Sequence, residues 1–227
     1  MSCFKDGNEC PYRKSCKNKA EDGSCYKICP IFHEINSLFE YANIPRLYLQ
    51  PFLLYPGEYD SDNYYTLAHI KKNIEELVEK GFNLYIQSDK KQNGKTSWAI
   101  KILQNYLHYS ILRHNSENKG LYVDTTKYLK DLKLSFDDYD KDLRSFQKDL
   151  EEVQLVIWDN IDEMKLSDFD RAYIKQIIKS RLSNGRSNIF VGNNSGNKLS
   201  IMIGEDLKYY VENNSTVVSL FSERGDK

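Results

Sequence analysis

The stretch from Phe82 to Arg113 constrains this chain more than any other. It reads FNLYIQ, then SDKKQNGKT, then SWAIKILQNYLHYSILR. The first piece predicts a short strand over 82–87. The last, together with Thr96 before it, predicts a helix over 96–113, with Trp98, Ile102, Leu103, Tyr106 and Leu107 along one side. Between them lies a loop ending in Gly94-Lys95-Thr96. A triphosphate needs inward-turned backbone N–H groups, a helix N-terminus, a lysine for its outer oxygens and a hydroxyl for Mg²⁺. Asn93, Gly94, Lys95, Thr96 and Ser97 supply the more discriminating half of such a loop. Asp89 stands where a G-x4-G-K-[ST] loop has its first glycine. Asp tolerates left-handed backbone better than most residues, and Lys90 and Lys91 offset its charge.

Beyond this unit the element types alternate. Strands are predicted over 120–124, 153–158, 188–191 and 215–221, and helices over 125–134, 141–152, 166–182 and 198–212. With the first strand this gives an α/β fold, a five-stranded parallel sheet covered on both faces. The run VQLVIW is nearly all apolar, as a strand buried on both faces requires, and it leads into Asp159. A carboxylate at the carboxyl end of a parallel strand faces the crevice that holds the phosphate loop. Asp159 is therefore the expected Mg²⁺ carboxylate, the plainer reading being a loop or helix-capping acid. Asn160 follows it. An amide orients water but accepts no proton, so hydrolysis is expected to be slow unless Asp162 or Glu163 reaches back. The fourth strand ends in VGNNS. Asn193 or Asn194 is placed there to meet a γ-phosphate or water, or simply to form a turn.

All five cysteines lie in the first 29 residues, and no apolar leader precedes them. An odd number without an export signal argues against a disulfide framework. Cys10, Cys16, Cys25 and Cys29 instead supply four thiolates for Zn²⁺, with an iron–sulfur cluster as the less favoured occupant and scattered free thiols as the plain alternative. Cys3 and His33 are reserve ligands. A helix is predicted over 31–42, a proline-rich extended connector after it, and a helix over 63–80. The domain reading is a metal-binding N-terminal segment over 1–43, a linker over 44–62 and an ATPase domain over 63–227. The formal net charge of -1 argues against a general polyanion coat. The helix with Arg171, Lys175, Lys179 and Arg181 reads as a basic surface or an ordinary solvated face. No apolar run is long enough to span a membrane. A cytoplasmic, membrane-free protein is expected.

With these pieces assembled, the chain resembles the DnaC/DnaI-type replicative helicase loaders, a branch of AAA+ ATPases near the transposition ATPase IstB. It is most similar to the phage-encoded loaders of low-GC bacteria. The residues that carry the likeness are ECPYRKSC and CPIF, YANIPRLYLQP, KNIEELVEKGFNLYIQSDKKQNGKTSWAIKIL, LVIWDNID, RAYIKQIIKSRLSNGRSNIFVGN and FSERGDK. They span nearly the whole chain. The resemblance implies an AAA+ αβα P-loop domain with strand order 5-1-4-3-2 and no separate lid, preceded by a small zinc-binding segment that engages a DnaB-type helicase. It implies ATP and Mg²⁺ as ligands, self-association around the helicase ring, and contact with single-stranded DNA. By position, Lys95 and Thr96 meet phosphate and Mg²⁺, Asp159 meets Mg²⁺, and Asn193 is the sensor asparagine. Arg181 falls near the arginine that reaches a neighbour's nucleotide, with Arg171 as alternative, and Arg224 near the family's C-terminal arginine. Asp89 and Gln92 replace loop glycines and Asn160 replaces the catalytic acid. Two further readings stay open, a pseudo-ATPase adaptor that grips a helicase and an IstB-like DNA-binding ATPase.

Overall fold

Five short apolar segments form the strands β1 (Asn83–Gln87), β2 (Gly120–Asp124), β3 (Leu155–Asp159), β4 (Ser187–Gly192) and β5 (Thr216–Ser219). The computed structural model describes residues 30–49, 52–57, 59–90, 92–112, 119–135 and 141–221. Every strand pairing is parallel, in the order β2-β3-β4-β1-β5. Read from the other edge, this is the expected 5-1-4-3-2. Successive strand residues point to opposite faces, so the central strands feed two cores. Leu84, Ile86, Ile157, Ile189 and Val191 face one core, and Tyr85, Val156, Trp158 and Phe190 face the other.

The first core is covered by α1 (Pro30–Tyr41), α2 (Ser61–Lys72), α3 (Ile74–Glu79) and α4 (Lys95–Leu112). The second is covered by α5 (Thr125–Leu134), α6 (Lys141–Glu152), α7 (Asp168–Ser183), α8 (Gly196–Ile203) and the short α9 (Glu205–Lys208). The result is a three-layer αβα sandwich. Helix α1, which the sequence places in the N-terminal segment, sends Ile35 and Phe39 into the same core as α4, followed by Ala42 and Ile44. The four cysteines proposed as metal ligands lie outside the described residues. Among the described residues no group of His, Cys, Asp or Glu forms a metal cluster, and no helix is long and apolar enough to cross a membrane.

Two predicted helices are broken. The helix over 63–80 divides at Asn73, whose side-chain amide donates to the His69 carbonyl at 2.9 Å. Asn competes for backbone hydrogen bonds in this way, which suits it to helix ends. The helix over 198–212 divides at Gly204, at φ 83°, and continues through α9 into a π-helical turn over Tyr209–Asn213. The connector is extended only in part, because Arg46–Leu49 form a 3₁₀ turn.

Candidate nucleotide-binding site

β1 runs directly into the lysine-containing loop, and α4 begins at Lys95. The N–H groups of its first turn therefore have no acceptor within the helix. Left-handed backbone occurs at Gln92 (φ 57°) and Gly94 (φ 91°) rather than at Asp89, where the sequence suggested it. Gly94 is suited to its place twice over. An L-residue resists that φ, and a Cβ there would lie 3.2 Å from the Tyr64 hydroxyl. Tyr64, on α2, donates to the Asn93 carbonyl at 3.3 Å.

The loop is tied together from within. The Asn93 amide donates to Ser88 Oγ at 2.5 Å, and the same oxygen accepts the Lys90 N–H at 3.0 Å. The Lys95 ammonium donates to the carbonyls of Lys90 (2.7 Å) and Ser88 (3.3 Å) and to Asn93 Oδ1 (3.3 Å). Burial lowers the Lys95 pKa, while Asp162, Asp159 and Asp89 pull it the other way. An ammonium surrounded by carbonyl dipoles is ready to exchange them for phosphate oxygens.

The loop meets β3 at one pair of side chains. Thr96 Oγ1 donates to Asp159 Oδ1 at 3.1 Å. The Asn160 N–H also reaches Oδ1, at 3.1 Å, and the Tyr122 hydroxyl holds Oδ2 at 2.7 Å. Asp159 is 2% exposed. Burial raises its pKa, and the hydrogen bonds from Tyr122, Thr96 and Asn160 oppose that rise. A buried carboxylate beside a threonine hydroxyl is an all-oxygen donor set, and it fits a hard cation such as Mg²⁺.

Asn160 adopts φ 56°, and its amide donates to Asp124 Oδ2 at 3.4 Å, across the register that sets Asp124 beside Asp159. Asp162 does not reach back to replace it. Its carboxylate accepts the Asn193 N–H (2.8 and 3.0 Å), the Asn194 N–H (2.7 Å) and the Asn194 amide (2.8 Å). The Tyr85 hydroxyl clamps the same loop through the Asn194 carbonyl at 2.5 Å. Asn193 is thus positioned by its backbone, and its half-buried side-chain amide makes no hydrogen bond among the described residues.

Three solved structures share this architecture. The DnaC helicase loader aligns with TM-score 0.58 and 20% identity over 73% of this chain and 93% of its own. DnaI aligns with TM-score 0.57 and 15% identity over 72% and 88%. AMPPCP-bound DnaA from Aquifex aeolicus aligns with TM-score 0.55 and 14% identity over 74% of this chain and 48% of its own, so this chain spans about half of that protein. The fold is the AAA+ P-loop fold. No protein-family model and no curated protein matches the sequence.

Within this AAA+ sandwich, Lys95, Thr96, Asp159, Asn160 and Asn193 gather at the carboxyl ends of β1, β3 and β4. Arg181 does not join them. It is fully buried, donating to Asn188 Oδ1 (2.8 Å) and to the carbonyls of Leu150 (2.6 Å), Val153 (2.9 Å) and Ser187 (2.6 Å). Those acceptors lie where β3 and β4 begin, at the end of the sheet opposite the phosphate loop. A residue so held cannot reach a neighbour's nucleotide, and the sequence-based role for Arg181 is corrected to a structural one. The basic face of α7 is largely spent as well. Lys175 pairs with Asp206 at 2.5 Å and Arg171 pairs with Asp168. Arg224 lies outside the described residues. Sequence reasoning missed Tyr122 and Tyr64 altogether, since neither stands in a motif, and of the two acids it offered in place of Asn160, Asp162 is taken up by the Asn193–Asn194 loop.

Proposed function

We propose that this chain is an ATP-dependent loader of a DnaB-type replicative helicase. The observation that carries the reading is the 3.1 Å hydrogen bond between Thr96 and Asp159, with Lys95 beside it. It supports a single cavity in which a lysine, a hydroxyl and a carboxylate meet a magnesium triphosphate. Bound there, Mg²⁺ would neutralise charge between the Asp159 carboxylate and the phosphates. Lys95 would exchange its loop carbonyls for phosphate oxygens, and Thr96 and Asp159 would hold Mg²⁺. Asn193 orients a γ-phosphate oxygen or a water, and Asn160 orients water without accepting its proton, so turnover is slow. The fold shared with the DnaC helicase loader supports helicase loading as the task, and the sequence resemblance adds single-stranded DNA as the place of delivery.

In this reading the loaders associate around the helicase ring, and Arg171, whose pair with the exposed Asp168 is exchangeable, supplies the arginine that completes a neighbour's site. Cys10, Cys16, Cys25 and Cys29 bind Zn²⁺ in a segment that engages the helicase. The test is native mass measurement of the chain mixed with a DnaB-type helicase, with and without ATP. Expected are a complex whose population depends on ATP and one zinc per chain. Equal complex formation in both arms refutes the nucleotide switch. It supports a second reading, a non-hydrolysing adaptor, which is favoured by the Asn160 amide turned toward Asp124 and by the engagement of Asp162 with Asn193 and Asn194.

A further inference from the structure

Tyr122 sits on β2, an edge strand, opposite Ile157 and two residues before Asp124 in the register that ends at Asp159. Strand residues two apart share a face, so its ring lies on the α1–α4 side of the sheet and its hydroxyl reaches Asp159 on the next strand. That hydroxyl holds Oδ2 at 2.7 Å, while Thr96 and the Asn160 N–H hold Oδ1. A carboxylate gripped at both oxygens has its plane fixed. The backbone of Tyr122 is held from the other side. Its N–H donates to the Ala42 carbonyl at 2.8 Å, and its carbonyl accepts the Asn43 amide at 3.4 Å. Residues 42 and 43 are the exit of α1, with Asn43 at φ 57°, and they cap the open edge of β2. Through one residue the end of α1 and the Asp159 carboxylate are in hydrogen-bonded contact.

We infer that Tyr122 is a positioning residue for the Mg²⁺ carboxylate and links its placement to the seating of α1 on β2. The inference rests on the nucleotide reading above. Residues that orient a metal's ligands typically change metal affinity by about ten- to a hundredfold when removed. Such a link is reciprocal, because a ligand that favours one arrangement of Asp159 also favours the α1 seating that goes with it.

The test is Tyr122→Phe, which keeps the buried ring and removes only the hydroxyl. ATP affinity is measured calorimetrically with Mg²⁺ and with EDTA. The gain in affinity that Mg²⁺ confers is expected to fall about tenfold, with the EDTA affinity unchanged. In the parent chain Mg²⁺ and ATP together are expected to slow hydrogen exchange of the Tyr122 amide, and the variant is expected to lose that response. An unchanged Mg²⁺ gain overturns the inference. Equal losses with and without Mg²⁺ also overturn it, since they report a packing role. Exchange indifferent to Mg²⁺ and ATP in the parent overturns the link to α1. Failure of the unmodified chain to bind ATP in either arm overturns the proposed function along with it, whereas the other results leave that function standing.

Discussion

At the scale of single residues, Arg181 and Asp159 are both buried ions with different consequences. The Arg181 guanidinium makes four hydrogen bonds to buried oxygens, of which Asn188 Oδ1 also accepts the Trp158 ring N–H at 3.1 Å. Arg181→Ala takes the donor from these buried neutral acceptors, and a loss of about 1–3 kcal/mol is expected in urea denaturation. Nucleotide affinity of the folded fraction is expected to stay unchanged; a specific loss there would restore Arg181 to the site. Asp159 is the opposite case. Its folded pKa is raised above the ordinary carboxylate value by burial, so its charge reduces stability at neutral pH. Asp159→Asn is therefore expected to melt at or above the parent's temperature in calorimetry. It is expected to lose more of the Mg²⁺-dependent ATP affinity than the roughly tenfold that a supporting residue costs. Lys95→Ala, by contrast, is expected to abolish ATP binding in both Mg²⁺ and EDTA, and unchanged affinity would contradict the site assignment. Lys95, Thr96 and Asp159 were readable because a strand-loop-helix and a strand-end acid have a fixed order along the chain. Tyr122 was not, because its hydroxyl acts across two strands whose pairing no local pattern records.

At the scale of elements, α1 is the helix whose place the sequence left most open. Its Phe39 packs against His108 of α4, ring centroids 5.5 Å apart. Burial, with the nearby Lys71 of α2 adding repulsion, lowers the His108 pKa from 6.5 to about 4. A histidine depressed in the fold stays neutral there while the unfolded chain takes up its proton. Stability is thus unaffected above about pH 6.5 and is lost progressively as pH falls toward 4, by up to about 3 kcal/mol. Denaturant titrations across that window are expected to show the loss, and His108→Phe to flatten it. An equal acid slope in the variant would assign the loss to other groups. The divisions at Asn73 and Gly204 belong to this scale too. Hydrophobic periodicity runs straight through both points, since each helix pair covers the same sheet face, so the pattern alone reads them as continuous.

At the scale of the whole molecule, the phosphate loop and the β3 acid are brought together by strand order. β1 and β3 are not neighbours; β4 lies between them. Their carboxyl ends share one crevice because every strand runs the same way. If ATP drives association around a helicase ring, the Lys95→Ala chain is expected to remain at its nucleotide-free mass when ATP and helicase are added. An ATP-induced complex in that variant would mean that the nucleotide acts on the helicase alone. The sequence by itself determined the element types, the three-layer class and the gathering of Lys95, Thr96 and Asp159 at one end of the sheet. Each of these rests on periodicity or on spacing within one strand-loop-helix unit. The tertiary structure alone decided that Arg181 is a buried strut, that Asp162 serves the Asn193 loop, and that α1 belongs to the core and touches Tyr122. Those facts depend on which distant segments are packed side by side, and packing is set by the whole core rather than by any short stretch of chain.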